Sequence, residues 1–297
     1  MTKKSTDLTK KKDELELVEG IPAGAIVPST GSGRGFDEMD ADDYIVPYVK
    51  MMQPLSPEID EDDPKFVETA GKGDLLNSLS GYNYGDKLKF IPIMFKKRRI
   101  YWKDRSDGGG IICGSMNSKQ PDMGDMIADS CRRCPKSKWT KDDKENSVPP
   151  ACTLIYTFPA VVLGLSAKDI GNKIVAVSFM NTSSNAGKEL ANMAKFSGGD
   201  IFARPYLLET KKEKNDKGTY YVLTTKLAGL LTAEEYADAE KVWDMLKDMT
   251  IDFQDDKHTK DEMTEDTGID GNPVEVFKPT YMLGIVMVPS IFILFIL

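Results

Sequence analysis

From Lys87 onward the chain reads as short runs of β-forming residues separated by turn residues. Lys87 to Phe95 is rich in branched and aromatic side chains, and Pro92, which cannot donate a ladder hydrogen bond, marks an edge or a bulge within it. Lys96 to Lys103 continues that run. Asp107-Gly108-Gly109-Gly110 is a turn, and Ile111-Ile112-Cys113 is the returning strand. Strand character resumes from Cys152 to Leu163. It recurs from Lys173 to Met180, where Val175, Val177 and Phe179 alternate with Ile174, Ala176 and Ser178. The period then changes: Leu190, Met193 and Ala194 share one helical face between Ala186 and Phe196, and Ser197-Gly198-Gly199 ends the helix. Phe202 to Thr210 and Thr219 to Leu227 are two further strands. They flank Lys211 to Gly218, in which Asn215-Asp216-Lys217-Gly218 forms a hairpin turn. A second helix occupies 231–250. Thr232-Ala233-Glu234-Glu235 is its capping box, Leu231 and Tyr236 its staple, and Tyr236, Ala239, Val242, Trp243 and Leu246 its packed stripe.

Several strands, one helix and a closing hairpin is the order of an OB barrel, with the helix between the third and fourth strands. Small sandwiches have similar strand counts. The expected class is mainly β with a few helices (α+β). The expected architecture is an OB-type five-stranded barrel over 44–230, carrying an inserted four-cysteine lobe at 113–152, a C-terminal packing helix and disordered tails.

Charge sharpens the picture. The net charge of -8 is unevenly spread, with 9 basic and 17 acidic groups in 1–84, 25 and 15 in 85–230, and 5 and 15 in 231–297. A basic middle between acidic ends points to a polyanion-binding face. The start, Met1 to Gly20, is charged and has no apolar core of a secretory signal, which implies a cytoplasmic protein. Gly31-Ser32-Gly33-Arg34-Gly35 reads as linker within a disordered arm, 1–43, because no strand precedes it and no Gly-Lys-Ser/Thr follows.

All four cysteines lie in one stretch, spaced C-x17-C-x2-C-x17-C: Cys113, Cys131, Cys134 and Cys152. A Cys-x-x-Cys turn brings two thiolates to one tetrahedral ion, and two more complete a closed, structural Zn2+ site. Free or disulfide-bonded cysteines are the alternative, and the lack of a secretory signal argues against disulfides. Cys113 and Cys152 are expected on strands bracketing the lobe, with the Cys-x-x-Cys turn at its tip.

Enzyme signatures are missing. The single histidine, His258, lies in an acidic stretch, so histidine-based triads and zinc proteases are excluded and no catalytic residue is assigned. Binding signatures are present as basic residues interleaved with aromatics. Lys96, Lys97, Arg98 and Arg99 run into Tyr101, Trp102 and Lys103. Arg132, Arg133, Lys136 and Trp139 surround the Cys-x-x-Cys turn, and Lys211, Lys212 and Lys214 precede Tyr220 and Tyr221. Cations beside rings are what single-stranded nucleic acid requires, since stacking is worth about 1–3 kcal/mol per base on any sequence. Each cluster taken alone also reads as a solvated strand edge, and Trp102 and Tyr156 fit a core equally well. RNA is as open as DNA, because stacking and phosphate contacts serve both.

The acidic stretch 251–280 and the uncharged stretch 281–297 stand apart from this core. The latter is at the short limit for crossing a membrane, so a zinc-stabilised, membrane-tethered interaction adaptor is the alternative reading. Membrane attachment is not the favoured one, because the stretch contains Pro289 and has no basic flank.

Pro47-Tyr48-Val49-Lys50-Met51-Met52-Gln53-Pro54-Leu55-Ser56-Pro57-Glu58, Gly73-Asp74-Leu75-Leu76-Asn77, Phe90-Ile91-Pro92-Ile93 and Arg99-Ile100-Tyr101-Trp102 carry a likeness. So do Cys131 to Pro135, Trp139, Pro149-Pro150-Ala151-Cys152 and Lys211 to Tyr221. Over about Tyr44 to Gly229 the chain resembles bacteriophage single-stranded DNA-binding proteins, zinc-containing and built on an OB core. The resemblance implies a protein that coats single-stranded DNA during replication and recombination in a bacterial host, with an acidic tail recruiting partner enzymes. The apolar stretch 281–297 departs from that family's usual ending.

Overall fold

The computed structural model describes residues 35–36, 38, 43, 45–103, 109–215, 218–248 and 252–253. Its strands are β1 (Ile45–Val46), β2 (Val49–Met51), β3 (Leu75–Asn77), β4 (Asn83–Gly85), β5 (Lys87–Pro92), β6 (Lys96–Trp102), β7 (Ile111–Ser115) and β8 (Met123–Gly124). They continue with β9 (Thr140–Lys141), β10 (Ser147–Val148), β11 (Thr153–Val162), β12 (Ile174–Phe179), β13 (Tyr206–Asn215), β14 (Gly218–Leu227) and β15 (Asp252–Phe253). Two α-helices, α1 (Ser184–Phe196) and α2 (Ala233–Leu246), complete the α+β architecture.

The main sheet has eight strands, ordered β14-β13-β5-β11-β6-β7-β8 with β12 on the far part of β11. β11 is the hub. Val162, Val161 and Ala160 pair with Phe90, Ile91 and Pro92, while Thr153 to Thr157 pair with Ile100 to Lys96. β5 and β6 therefore lie end to end along one edge of β11. Pro92 ends β5, and Ile93 keeps the connection by donating to the Pro159 carbonyl at 2.7 Å. The other side of β5 takes β13 in antiparallel register, so the first long strand lies between the second and the fourth.

No closed barrel forms among the described strands, which corrects the expectation of a five-stranded barrel. The reason lies on the outer edge of β14. The Gln53 side chain holds both backbone groups of Tyr221, and Ser183 Oγ accepts the N–H of Leu223 at 3.0 Å. Side chains thus fill the seam where a closing ladder would run.

Two apolar layers cover the sheet. On one face Phe90, Phe158, Phe179 and Leu190 are fully buried, joined by Val175, Val177 and Leu208. Each such side chain contributes about 1.5–3 kcal/mol. α1 lies close to this face: a Cβ on Gly187 would stand 2.7 Å from Phe179 Cβ, so glycine is needed for that approach. The other face buries Ile91, Val161, Ala176 and Phe202 against Ala239 and Leu246 of α2. Phe202 meets Tyr236 and Trp243 at ring-centroid distances of 5.4 and 6.2 Å, which makes Trp243 a packing residue. The capping box is formed, with Glu235 N–H donating to Thr232 Oγ1 at 3.1 Å and Thr232 N–H to Glu235 Oε2 at 2.8 Å.

The antiparallel sheet β2-β3-β4 is an addition that strand patterning did not predict. β1 pairs in parallel with β15, so the two ends of the described chain meet. The expected N-terminal arm lies almost wholly outside the described residues, and the acidic and apolar stretches lie outside them apart from Asp252 and Phe253. Among the described residues no helix is long and apolar enough to cross a membrane.

Candidate nucleic-acid interface

Strand alternation sorts the first basic cluster into two faces. Lys97, Arg99 and Tyr101 point to one side of β6, and Arg98, Ile100 and Trp102 to the other. Arg98 is 0% exposed and donates from Nη2 to Thr157 Oγ1 at 3.1 Å; Trp102 is 3% exposed and packs with Ile100 and Ile155. These two expected contact residues belong to the interior. They are corrected accordingly, because a side chain without exposed surface cannot touch a nucleic-acid strand.

The face carrying Lys97, Arg99 and Tyr101 is open. Lys97 pairs across the ladder with Tyr156, and its Nζ lies 5.7 Å from that ring centroid. Phe95, 41% exposed, stacks on Tyr156 at 6.0 Å with 23° between ring planes, and meets Phe158 at 5.4 Å. The Lys97 ammonium is pushed below its ordinary pKa by partial burial, and then by the charges of Arg99 and of Lys188 on α1. Three cations and an exposed ring therefore share one neighbourhood. Phe95 and Lys188 were not among the expected contact residues. Phe95 directly precedes the basic run from Lys96 to Arg99 but reads as the end of the preceding β-forming stretch, and Lys188 lies on α1, remote in sequence from that run, with Lys195 as the helix's other cation. Lys96 is half-buried and Lys103 exposed at the two ends of this strand region.

Farther along the same face lies the thiol cluster. Cys113 is directly opposite Tyr101 across β6 and β7, and Lys136 Nζ stands 5.7 Å from the Tyr101 ring centroid. Cys113, Cys131, Cys134 and Cys152 line one cavity of ≈ 20 Å³ together with Arg99 and Ser137. That volume is about the room one water needs. The cysteines form no disulfide, and three of them are buried. The Cys131–Cys134 turn is drawn tight, as the N–H groups of Arg133 and Cys134 both reach the Ser130 carbonyl. Ser137 Oγ donates to the Cys131 and Cys134 carbonyls at 2.6 and 2.9 Å. Burial pushes the Cys152 thiol up to about 11, against the opposing influence of Arg99. The cysteines converge without ligating geometry: among the described residues no three of His, Cys, Asp or Glu are placed to hold a metal ion. The Cys-x-x-Cys turn folds back to the sheet rather than forming the lobe's tip; beyond it comes Trp139, which is 54% exposed, and then the β9–β10 hairpin from Thr140. Arg132 and Arg133 are exposed beside the cavity.

The third cluster lies elsewhere. β13 and β14 are separated from β6 in the sheet by β5 and β11. Lys211 pairs with Glu213 at 2.9 Å, and Tyr220 Oη donates to the same carboxylate at 3.2 Å. Lys212 and Lys214 are exposed on the opposite face of the hairpin, where Lys212 stands across from Tyr221. The three expected clusters thus resolve into one continuous face around β6 and the cysteine lobe, and a separate hairpin.

Residues 18–252 match the family model described as Pam3 phage gp34-like protein, and the chain belongs to that phage protein family. No curated protein and no solved structure matches it.

Proposed function

We propose that this member of the phage family binds single-stranded DNA with little sequence preference, coating it for replication or recombination, and performs no catalysis. The observation that carries the reading is the open face of β6. Lys97 and Arg99 there offer charge to phosphates, with Lys188 beside them, while Phe95 and Tyr101 offer rings to bases. That combination suits a flexible strand, whose bases are free to stack, better than a duplex, whose bases are not. RNA with the same flexibility would satisfy the same contacts.

An OB-type core is consistent with the pairing, with the first strand between the second and fourth, a helix between the third and fourth, and a terminal hairpin. In this reading the seam between β12 and β14 is held by Gln53 and Ser183 instead of by a ladder. The cysteine lobe enters between the first and second strands, next to the binding face. Its four cysteines would hold one structural Zn2+, tying three chain segments together. The acidic stretch at 251–280 would serve as the recruiting segment for replication and recombination proteins.

Ultraviolet crosslinking of oligothymidine, mapped by mass spectrometry, tests the placement. Adducts are expected on Phe95 or Tyr101. Absence of adducts, or adducts confined to α2, would overturn it.

A further inference from the structure

The cysteine lobe carries an aromatic side chain that the open face of β6 does not account for. Of the three tryptophans, Trp102 is 3% exposed and Trp243 packs on Phe202, whereas Trp139 is 54% exposed. Trp139 stands between two fixed points. On one side the Cys152 N–H donates to the Lys136 carbonyl at 2.8 Å, and Ser137 Oγ bonds the carbonyls of Cys131 and Cys134. On the other, Thr140 pairs with Val148 in the β9–β10 hairpin. The same segment reaches the sheet directly, because the Lys136 ammonium lies 5.7 Å from the Tyr101 ring centroid. Between Cys131 and Lys141 the chain holds Arg132, Arg133, Lys136, Lys138 and Lys141 and no acidic residue. All of these cations are exposed.

From this placement we propose that Trp139 is a second stacking platform, carried by the cysteine lobe, and that a single strand long enough to leave β6 past Tyr101 crosses Lys136 to reach it. The inference rests on the proposed function and deepens it by giving the bound strand a course. Phe95 and Tyr101 mark the two ends of the open face, separated by about 20 Å at the ordinary rise of a strand. Lys136 continues that line beyond Tyr101 as a cation, and the indole lies three residues farther along the chain. Rings alternating with cations suit a flexible polyanion, since bases stack while the cations track the phosphates. Indole serves this well, because its large, rigid face stacks on any base. The contacts that place it are already formed in the free protein. A strand shorter than the β6 face therefore engages one platform, and a longer one engages both.

The test uses the full chain with labelled oligothymidines of about 4 and about 16 nucleotides, the span of footprints for single-strand-binding folds. Anisotropy gives the affinity of each strand. Tryptophan emission reports stacking, because Trp139 is the exposed indole of the three. The long strand should bind more tightly than the short one and quench the emission at saturation. Trp139→Ala is expected to weaken the long strand about tenfold, the loss of one stacked base, and to abolish the quenching. Trp139→Phe should recover part of the affinity, and Lys136→Gln should weaken the long strand more than the short one. Trp139→Ala that binds the long strand as wild type does, or saturation of wild type without quenching, would overturn the proposal and leave the face of β6 in place. A wild-type chain that binds neither strand would overturn the proposed function and the second platform together. Circular dichroism of each variant separates these outcomes from unfolding.

Discussion

The side-chain amide of Gln53 takes both backbone hydrogen bonds of Tyr221, donating from Nε2 to its carbonyl at 2.9 Å and accepting its N–H on Oε1 at 2.8 Å. Gln53 is 2% exposed, so one buried side chain does for the edge of β14 what a neighbouring strand would otherwise do. The loop presenting it is fixed in turn by Ser56, whose Oγ accepts the Gln53 N–H at 2.8 Å.

Gln53→Ala leaves two strand-edge groups without their partner. A cost of about 2 kcal/mol is expected, since a buried group deprived of its bond loses about 1–3 kcal/mol. Urea denaturation followed by far-ultraviolet circular dichroism measures it; a midpoint within error of wild type would show that the edge is not held this way.

Gly73 supports the same residue from the other side. Its φ is +90°, and a Cβ there would stand 2.5 Å from the Tyr221 ring. Gly73→Ala combines an unfavourable backbone conformation with a clash, and a loss of about 2–4 kcal/mol is expected. The double variant with Gln53→Ala should lose less than the sum, because both act through Tyr221. Full additivity in denaturation would argue that the two contacts are independent.

Faces of one strand should behave differently. Lys97→Gln is expected to lower the salt dependence of oligothymidine binding by about 0.7 in log-log slope, the share of one neutralised phosphate. Arg98→Met, one residue away but buried, should reduce stability and leave the slope intact. Lys211→Gln, at a lysine paired with Glu213 on the distant hairpin, should change neither strongly. Equal slopes for wild type and Lys97→Gln would remove β6 from the interface.

Alkaline pH reports on the small sheet. Burial pushes Tyr84 up to about 12, while its hydrogen bond from Asn77 acts in the opposite direction. The unfolded chain ionises this phenol near 10, as an ordinary tyrosine does. Between about pH 10 and 12 the unfolded state therefore holds fewer protons, and stability falls as pH rises. The full contribution is present below 10. Urea midpoints at pH 8 and 11 should drop further for wild type than for Tyr84→Phe. The variant also loses the bond to the Asn172 carbonyl, at 2.9 Å, and starts lower. An equal drop in both proteins would place the alkaline sensitivity elsewhere.

Much of the core was legible because its signals are local. Val175, Val177 and Phe179 alternate in β12, and Thr232 and Glu235 cap α2 through neighbours three residues apart. The sheet β2-β3-β4 was not legible, since strands of three residues are too short to show a period. The open seam at β14 was hidden for another reason: Gln53 and Tyr221 are 168 positions apart, and nothing in either sequence window announces the partner. In the candidate site, the run Lys96 to Lys103 marked the right strand, but a run of like residues does not say which face each one takes. Arg98 and Trp102 went inward for that reason, while Phe95 joined from the residue just before the run and Lys188 from a helix remote in sequence. The cysteines were identified by spacing, and their convergence on Arg99 emerged only from the pairing of β6 with β7.

Fluorescence anisotropy of labelled oligothymidine, titrated with the full chain across a salt series and challenged with unlabelled duplex, tests the central claim most directly. The account predicts saturable binding that duplex DNA does not displace, weakening with salt by about 0.7 log units per neutralised phosphate. No binding at low salt, or displacement by duplex as readily as by single strands, would contradict it.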